Sequence, residues 1–158
     1  MARKSNRQRM LAVNIAINRQ MPLILCDYMD TCDEQKHTPL LEKLAEYKKE
    51  GATILMATDS YEWDADRNLQ KIKNRGFDVF VGAINRTMFG EKNYITYWQK
   101  LTEAMQYSAY DIIFIEDDTT NLRNAKSNGV KTVDSKDPMP NILKNLDAHY
   151  QIQKAKLS

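Results

Sequence analysis

Acidic, hydroxyl and basic side chains follow four apolar segments of this 158-residue sequence. An aspartate follows the first segment and a threonine the second, a lysine lies beyond the third, and three acids and an asparagine follow the fourth. These candidate residues are Asp27, Thr58, Lys92, Glu116, Asp117, Asp118 and Asn121. If the fold brings them together, they predict chemistry on a phosphate group.

The acidic residues predict a cation site. Asp27 and Asp117, placed close together, repel one another unless a cation or a proton lies between them. Mg²⁺ accepts oxygen ligands and retained waters, so it is the cofactor that this set predicts. Thr58 can donate a hydrogen bond to a phosphoryl oxygen, and Lys92 can supply positive charge to the phosphate. A carboxylate held beside a metal can attack phosphorus and form an aspartyl-phosphate.

Hydrophobic patterning predicts the elements that carry these residues. Apolar runs are typical of strands buried on both faces, and they occur at 23–26, 53–57, 79–81 and 112–115; a fifth strand is predicted at 130–133. Apolar residues at helical spacing lie between and after the runs. Five helices are predicted. The first begins with Thr38 as its N-cap and ends before Gly51, the second spans 64–75 and the fourth spans 121–128. The third and the fifth are marked by apolar stripes, Tyr94, Tyr97, Trp98, Leu101 and Met105 for the third and Ile142, Leu143, Leu146 and Tyr150 for the fifth.

Five strands alternating with helices predict an α/β fold. The expected architecture is a doubly wound, mostly parallel five-stranded sheet with helices on both faces. In such sheets a ligand site lies beyond the carboxyl ends of the strands, at a topological switch point. Every candidate residue follows a strand, so we expect all of them at one edge of the sheet.

The order of these motifs resembles that of the haloacid dehalogenase (HAD) superfamily, and the resemblance covers residues 22–133. The first family motif is an apolar strand followed by Asp-x-Asp-x-Thr, matched here by Asp-Tyr-Met-Asp-Thr at 27–31. The second motif ends in Thr58, the third supplies Lys92 before a helix, and the fourth ends in Asp117. The resemblance implies the Rossmann-like HAD core, and the short segments between motifs leave no room for a cap domain.

The resemblance also implies a role for each candidate residue. Asp27 is then the nucleophile and a metal ligand, joined at the metal by the backbone carbonyl of Met29 and the carboxylate of Asp117. Thr58 and Lys92 bind the phosphate. Three further residues lie near the metal or support its ligands: Glu116, Asp118 and Asn121. The implied function is Mg²⁺-dependent phosphohydrolysis through an aspartyl-phosphate on Asp27, in an open site that could take a nucleotide or nucleic-acid phosphate.

One position departs from the family pattern. The residue two after the nucleophile is an aspartate in the family's phosphatases, where it is the general acid and base, but here it is Met29. Loss of general acid–base help typically costs about 10²–10⁴-fold in rate. A local bulge could bring Asp30 into the position of the missing acid. Esters whose leaving groups need little protonation would lose the least rate. The alternative function is a catalytically weak or inactive protein that uses the pocket to bind a nucleotide, nucleic acid or protein partner.

Composition and charge limit the remaining possibilities. The length fits one domain, and no apolar run approaches the roughly 20 residues of a membrane span. Residues 1–20 carry five basic and no acidic side chains, which predicts a basic arm able to hold nucleic acid before an α/β domain over 21–158. Two cysteines form no disulfide framework, so a reduced, cytoplasmic setting is expected. A site without a cap also allows a homo-oligomer.

Aromatic residues lie near the predicted edge of the site. Tyr28 follows the nucleophile, and Tyr61 and Trp63 follow Thr58. Aromatic rings at such an edge can stack on a base or on an aromatic leaving group, although ordinary packing is the alternative. The sequence therefore leaves their role open.

Overall fold

The computed structural model describes residues 17–158, which form alternating strands and helices. The strands are β1 (Leu23–Cys26), β2 (Thr53–Ala57), β3 (Gly82–Ile84), β4 (Ile112–Glu116) and β5 (Lys131–Asp134). The α-helices are α1 (Thr38–Lys49), α2 (Glu62–Asn74), α3 (Arg86–Phe89), α4 (Tyr97–Met105), α5 (Thr119–Ser127) and α6 (Met139–Leu157). Short 3₁₀ turns, Gln35–His37 and Ala109–Asp111, precede α1 and β4.

The five strands form one parallel sheet in the order β3-β2-β1-β4-β5. Every residue of β1, β2 and β4 is buried, and this is why these segments are continuously apolar in sequence rather than alternating. The chain runs outward from β1 to β3 on one side and then crosses to β4 on the other. The switch point therefore lies at the carboxyl end of β1, and the predicted fold class is confirmed.

Helices cover both faces of the sheet. Successive side chains of a strand point to opposite faces, so β1 contributes to two separate cores. Ile24 and Cys26 pack with apolar residues of α1, α2 and α6, whereas Leu23 and Leu25 pack with those of α3, α4 and α5. The sheet is thus a rigid layer between two apolar cores, and its carboxyl edge is positioned from both sides.

The third strand lies later in the chain than the sequence predicts. Residues 79–81 are irregular, and β3 is formed by Gly82–Ile84 instead. The first two residues of the predicted strand are buried in the core, and the N–H of Val81 donates to the carbonyl of Ile54 at 3.0 Å. The predicted bounds were wrong because the apolar run reflects burial of the approach to the sheet, and regular pairing with β2 begins only at Gly82.

Several helix and strand bounds also differ from their predictions. Helix α1 begins at Thr38, with His37 rather than Thr38 at the N-cap. Helix α5 begins at Thr119, two residues early, because the carboxylate of Asp118 caps it by accepting the N–H of Asn121 at 2.9 Å. Strands β4 and β5 each end one residue later than predicted, and α2 spans positions 62–74 instead of 64–75.

The predicted stripe before β4 is helical only in part. Tyr94 lies in a turn and is half-exposed, and α4 begins at Tyr97. From that residue onward the apolar members of the stripe are buried against the sheet, as predicted. The four-residue helix α3 was not predicted. Its sequence, Arg-Thr-Met-Phe, is too short to show a helical period.

The connections between strands are short. Only α1 with its preceding 3₁₀ turn separates β1 from β2, and only α2 separates β2 from β3. Within residues 17–158 neither connection holds a cap domain, in agreement with the sequence. None of the helices in this part of the chain has the length and apolarity needed to cross a membrane.

The end of the predicted basic arm contacts the domain. Ile17 is buried with the aromatic residues of α4, and the N–H of Asn18 donates to the hydroxyl of Thr53 at 3.0 Å. The guanidinium of Arg19 donates to the carbonyl of Gln106 at 2.7 Å. The other basic residues of the arm lie within 1–16, outside the described residues.

The contact between α1 and α6 generates a stability prediction. The Tyr47 hydroxyl donates to the Asp147 carboxylate at 2.7 Å, and this bond holds the pKa of Asp147 below its usual value. Tyr47→Phe keeps the ring stacked on Tyr150 but loses the bond, so the free energy of unfolding at pH 7 should fall by about 1 kcal/mol.

Because the pKa of Asp147 is lower in the folded state, this contribution is present above the unfolded pKa of about 3.9 and is lost as pH falls through the folded pKa. Urea titrations at pH 7, 5 and 3 should therefore show the difference between wild type and Tyr47→Phe shrinking at the lowest pH. A difference that stays constant down to pH 3 would contradict the assignment. Asp147→Asn, combined with Tyr47→Phe, supplies the double-mutant control.

Candidate active site

The ends of three adjacent strands meet at the switch point. Asp27 follows the last residue of β1, and its N–H donates to the carbonyl of Ile115 in β4 at 2.9 Å. Thr58 follows β2, and Glu116 is the last residue of β4. The parallel register places Cys26 level with Met56 and Ile115. The residues that follow are therefore brought side by side, as the sequence predicts.

The ammonium of Lys92 joins these strand ends. The side chain is only 2% exposed, and its Nζ lies 2.6 Å from Asp27 Oδ1 and 2.6 Å from Glu116 Oε1. It also donates to the carbonyl of Ala57 at 2.9 Å. A lysine ammonium has three hydrogens, so each of β1, β2 and β4 supplies one acceptor for it. The geometry fixes the Asp27 carboxylate toward the centre of the site.

Two residues to which the sequence assigned no role hold Lys92 in place. The backbone N–H of Lys92 donates to Asp59 Oδ1 at 2.8 Å, and the amide of Asn124 donates to the Lys92 carbonyl at 2.9 Å. Asp59 could have been found, because it directly follows Thr58 at a strand end. Asn124 gives no such signal, since it lies within a helix 32 positions from its partner.

Glu116 is held by the start of α5. Its Oε2 accepts the N–H of Asp117 at 3.0 Å, and its Oε1 accepts the side-chain amide of Asn121 at 3.0 Å. Asp118 caps the same helix and thereby orients the turn. The predicted supporting residues Glu116, Asp118 and Asn121 therefore form one connected network behind the site.

The charges of the site are unevenly balanced. Burial by itself lowers the pKa of Lys92, but the neighbouring carboxylates Asp27 and Glu116 raise this pKa above its usual value. The side chain is therefore an ammonium. Although burial acts in the other direction, Lys92 holds the pKa of Glu116 below its usual value. Burial raises the pKa of Asp27 well above its usual value despite the ammonium beside it, and burial also raises that of Asp117. One ammonium is too little positive charge for three carboxylates.

The donor set fits a divalent cation such as Mg²⁺. Asp27, Glu116 and Asp117 each offer a carboxylate oxygen, and these oxygens all lie within 4.8 Å of one another. Three ionised carboxylates and one ammonium leave two negative charges, which a divalent cation neutralises. Oxygen-only ligation is what Mg²⁺ prefers. Glu116 thus lies near the predicted metal ligands Asp27 and Asp117.

A polar pocket opens onto these groups. Its volume is about 320 Å³, and it is lined by Asp27, Met29, Thr58, Asp59, Ser60, Lys92, Glu116, Asp117, Asp118 and Asn121. All eight residues that the sequence singled out thus line one pocket, together with Asp59 and Ser60. The Thr58 hydroxyl oxygen accepts the N–H of Ser60 at 3.1 Å, which turns the chain at the pocket wall.

The position two residues after Asp27, where the resemblance leads one to expect an acid, is Met29. Met29 lines the pocket and is 62% exposed. Asp30 does not line it: this residue has a left-handed backbone (φ 57°), and its N–H donates to Asp33 Oδ1 at 2.9 Å. Asp30 lies instead in a neighbouring groove with His37 and Lys136. The bulge that would bring Asp30 into the site is not found.

Solved structures share the fold of this chain. An uncharacterized protein from Corynebacterium glutamicum matches with a TM-score of 0.68 at 17% identity, over 83% of this chain and 96% of that protein. The core domain of a proposed phosphoglycolate phosphatase from Streptococcus pneumoniae has a TM-score of 0.58 at 15% identity, over 80% and 96% of the two chains. A HAD family enzyme from Bacteroides thetaiotaomicron, an Asp-to-Ala variant in complex with magnesium and inorganic phosphate, has a TM-score of 0.50 at 16% identity, over 65% of this chain and 55% of that enzyme.

No protein-family model and no curated protein matches the sequence. The similarity therefore lies in the fold, which this chain shares with a structure described as a HAD family enzyme. The predicted α/β architecture, with a five-stranded parallel sheet covered on both faces, is confirmed.

Lys92→Met tests whether the buried ammonium stabilises the site. The substitution leaves Asp27 and Glu116 buried without a counter-charge, and breaking such a pair costs about 3–5 kcal/mol. Urea denaturation at pH 7 without added metal should show a loss of this size. Lys154→Met removes an exposed ion pair with Glu50 and should cost no more than about 1 kcal/mol.

Adding Glu116→Gln to Lys92→Met removes one of the unpaired charges, so the double variant should recover part of the lost stability. Equal losses for Lys92→Met and Lys154→Met would refute the proposed role of the buried ammonium.

Proposed function

We propose that this protein is a Mg²⁺-dependent phosphohydrolase that cleaves phosphomonoesters through an aspartyl-phosphate on Asp27. The observation that carries the proposal is the convergence of Asp27, Thr58, Lys92 and Asp117 on one polar pocket. A nucleophile, a hydrogen-bond donor for phosphate, a fixed ammonium and a cation site are the groups that phosphoryl transfer needs.

Asp27, Glu116 and Asp117, with the Met29 carbonyl implied by the resemblance to HAD proteins, would hold Mg²⁺. When bound, Mg²⁺ supplies positive charge that offsets the buried carboxylates and stabilises the developing charge on the phosphoryl oxygens. The fold relative from Bacteroides thetaiotaomicron is a complex with magnesium and inorganic phosphate, which supports this ligand pair for the present pocket.

The residues of the chain then divide the reaction between them. Lys92 fixes the Asp27 carboxylate at 2.6 Å and supplies positive charge near the phosphate, and the Thr58 hydroxyl donates to a phosphoryl oxygen. An Asp27 oxygen attacks phosphorus, the bond from phosphorus to the ester oxygen breaks, and the leaving oxygen takes the electron pair. Water then attacks the same phosphorus, the bond to Asp27 breaks, and inorganic phosphate and the free carboxylate result.

Met29 limits which esters react. A thioether cannot give a proton to the leaving oxygen, so that oxygen must depart as an anion or take its proton from solvent. Missing acid catalysis lowers the rate about 10²–10⁴-fold for leaving groups that need it. Met29 is thus also the observation that favours the second candidate function, in which the pocket binds a nucleotide, nucleic acid or protein with little or no turnover.

We also propose a partner, an assembly state and a location for the protein. They are nucleic-acid binding by the basic arm over residues 1–20, assembly as a homo-oligomer that borders the open site, and a cytoplasmic location. Binding by the arm would be strongly salt-dependent, since it rests on contacts with backbone phosphates.

Phosphate release from p-nitrophenyl phosphate tests the role of Asp27. Wild type should release phosphate only with Mg²⁺, and Asp27→Asn should lose at least about 10³-fold in kcat, because an amide is not a competent nucleophile. Asp30→Asn is the matched control, since Asp30 is a nearby acid outside the pocket, and it should keep wild-type activity. Equal activity of Asp27→Asn and wild type would exclude the aspartyl-phosphate.

Met29→Asp tests the missing acid through the leaving group. For an alkyl ester such as glycerol 2-phosphate the variant should gain about 10²-fold or more in kcat, because the leaving alkoxide now receives a proton. For p-nitrophenyl phosphate, whose leaving group needs little protonation, the gain should be far smaller. If wild type is silent on every ester and Met29→Asp is active, the binding function is correct. Equal gains on both esters would contradict the acid assignment.

A further inference from the structure

Three large side chains that are pocket residues or near them in sequence are exposed. Met29 lines the pocket, and Tyr61 directly follows Ser60, another lining residue. Tyr61 is 58% exposed and Trp63, two positions further on, is 71% exposed. Tyr28, which the sequence grouped with them, is instead buried in the core. The aromatic edge of the site therefore consists of Tyr61 and Trp63.

The Tyr61 ring is held in place relative to the pocket. The backbone N–H of Arg86 donates to the Ser60 carbonyl at 2.9 Å, and its guanidinium lies 5.1 Å from the Tyr61 ring centroid. Arg86 is in turn ion-paired with Glu91, the residue before Lys92. The ring is thus tied to the same segment that delivers the buried lysine.

The aromatic edge is also cationic. Arg86 lies against Tyr61, and the guanidinium of Arg67 lies 5.3 Å from the Trp63 ring centroid. A phosphomonoester is a dianion approaching a pocket whose own carboxylates are negative. Arginines beside the rings supply attraction for the phosphate, while the rings supply a surface for a flat apolar group.

The chemistry of Met29 selects the same kind of molecule. Without an acid, the leaving oxygen departs unprotonated, so the reaction favours esters of weakly basic alcohols. A phenol has a pKa of about 10, whereas a simple alcohol holds its proton nearly as strongly as water, with a pKa of about 15.7. Methionine is moreover a side chain that contacts aromatic rings favourably.

We propose, on the basis of the function proposed above, that the substrates are aryl phosphates, with the leaving ring stacked on Tyr61 and contacting Met29. An Asp27 oxygen forms the new bond to phosphorus, the bond between phosphorus and the aryl oxygen breaks, and the phenolate leaves with the electron pair and needs no proton. Water later releases phosphate from Asp27. The ring would thus contribute to binding, and the stability of the phenolate would allow it to leave without a proton.

The test compares phenyl phosphate with acetyl phosphate, which also has a weakly basic leaving group but carries no ring. Tyr61→Ala should lower kcat/KM for phenyl phosphate about 3- to 10-fold, the range expected for one aromatic pair, and leave acetyl phosphate within twofold. Tyr110→Ala is the matched control. It removes a tyrosine that is equally exposed but borders a different pocket, and it should change neither substrate.

Two outcomes separate this inference from the function on which it rests. Turnover of acetyl phosphate with no selective effect of Tyr61→Ala on phenyl phosphate would overturn the aryl assignment and leave phosphohydrolysis standing. Failure to hydrolyse either substrate with Mg²⁺ would overturn both. A phosphotyrosyl peptide tests whether the aryl phosphate belongs to a protein or to a small molecule. A higher kcat/KM for the peptide than for phenyl phosphate would indicate a protein phosphotyrosine as substrate, and a lower one would indicate a small aryl phosphate.

Discussion

The buried ammonium of Lys92 is the interaction on which the rest of the site depends. Removing an ammonium from water costs several kcal/mol, and here the cost is offset by three acceptors, one from each of β1, β2 and β4. Those acceptors coincide only because the strands are parallel and in register. The apolar cores on both faces fix that register, Asp59 and Asn124 hold the lysine, and the lysine holds the Asp27 carboxylate.

The charges in this arrangement do not balance, because three carboxylates lie near a single ammonium. Asp27, Glu116 and Asp117, when ionised, together exceed the charge that Lys92 supplies, so the cluster fits a divalent cation. Met29 lines the pocket at the position where the resemblance to HAD phosphatases leads one to expect an acid, and the exposed Tyr61 follows the lining residue Ser60 in the chain. In the proposed function, the buried residues would carry out phosphoryl transfer, whereas Met29 at the opening of the pocket would limit which leaving groups can depart.

Much of this architecture is predictable because burial and chemistry leave separate signals in the sequence. Strands β1 and β2 have the predicted bounds, since a continuous apolar run followed by a polar residue marks the carboxyl end of a buried strand. The run at 79–81 misled because burial alone does not specify pairing, and β3 has only three residues, two of which are Gly and Ala. The convergence on one pocket followed from topology, but the contact from Asn124 to the Lys92 carbonyl depends on tertiary geometry that no local pattern records.

The most direct measurement of the central claim is the mass of the protein quenched in acid during turnover of acetyl phosphate with Mg²⁺. We expect the quenched protein to carry one phosphoryl group, on a peptide that contains Asp27. The Asp27→Asn variant should show no such adduct. Release of phosphate without any adduct on Asp27, or an adduct on a different residue, would contradict the account.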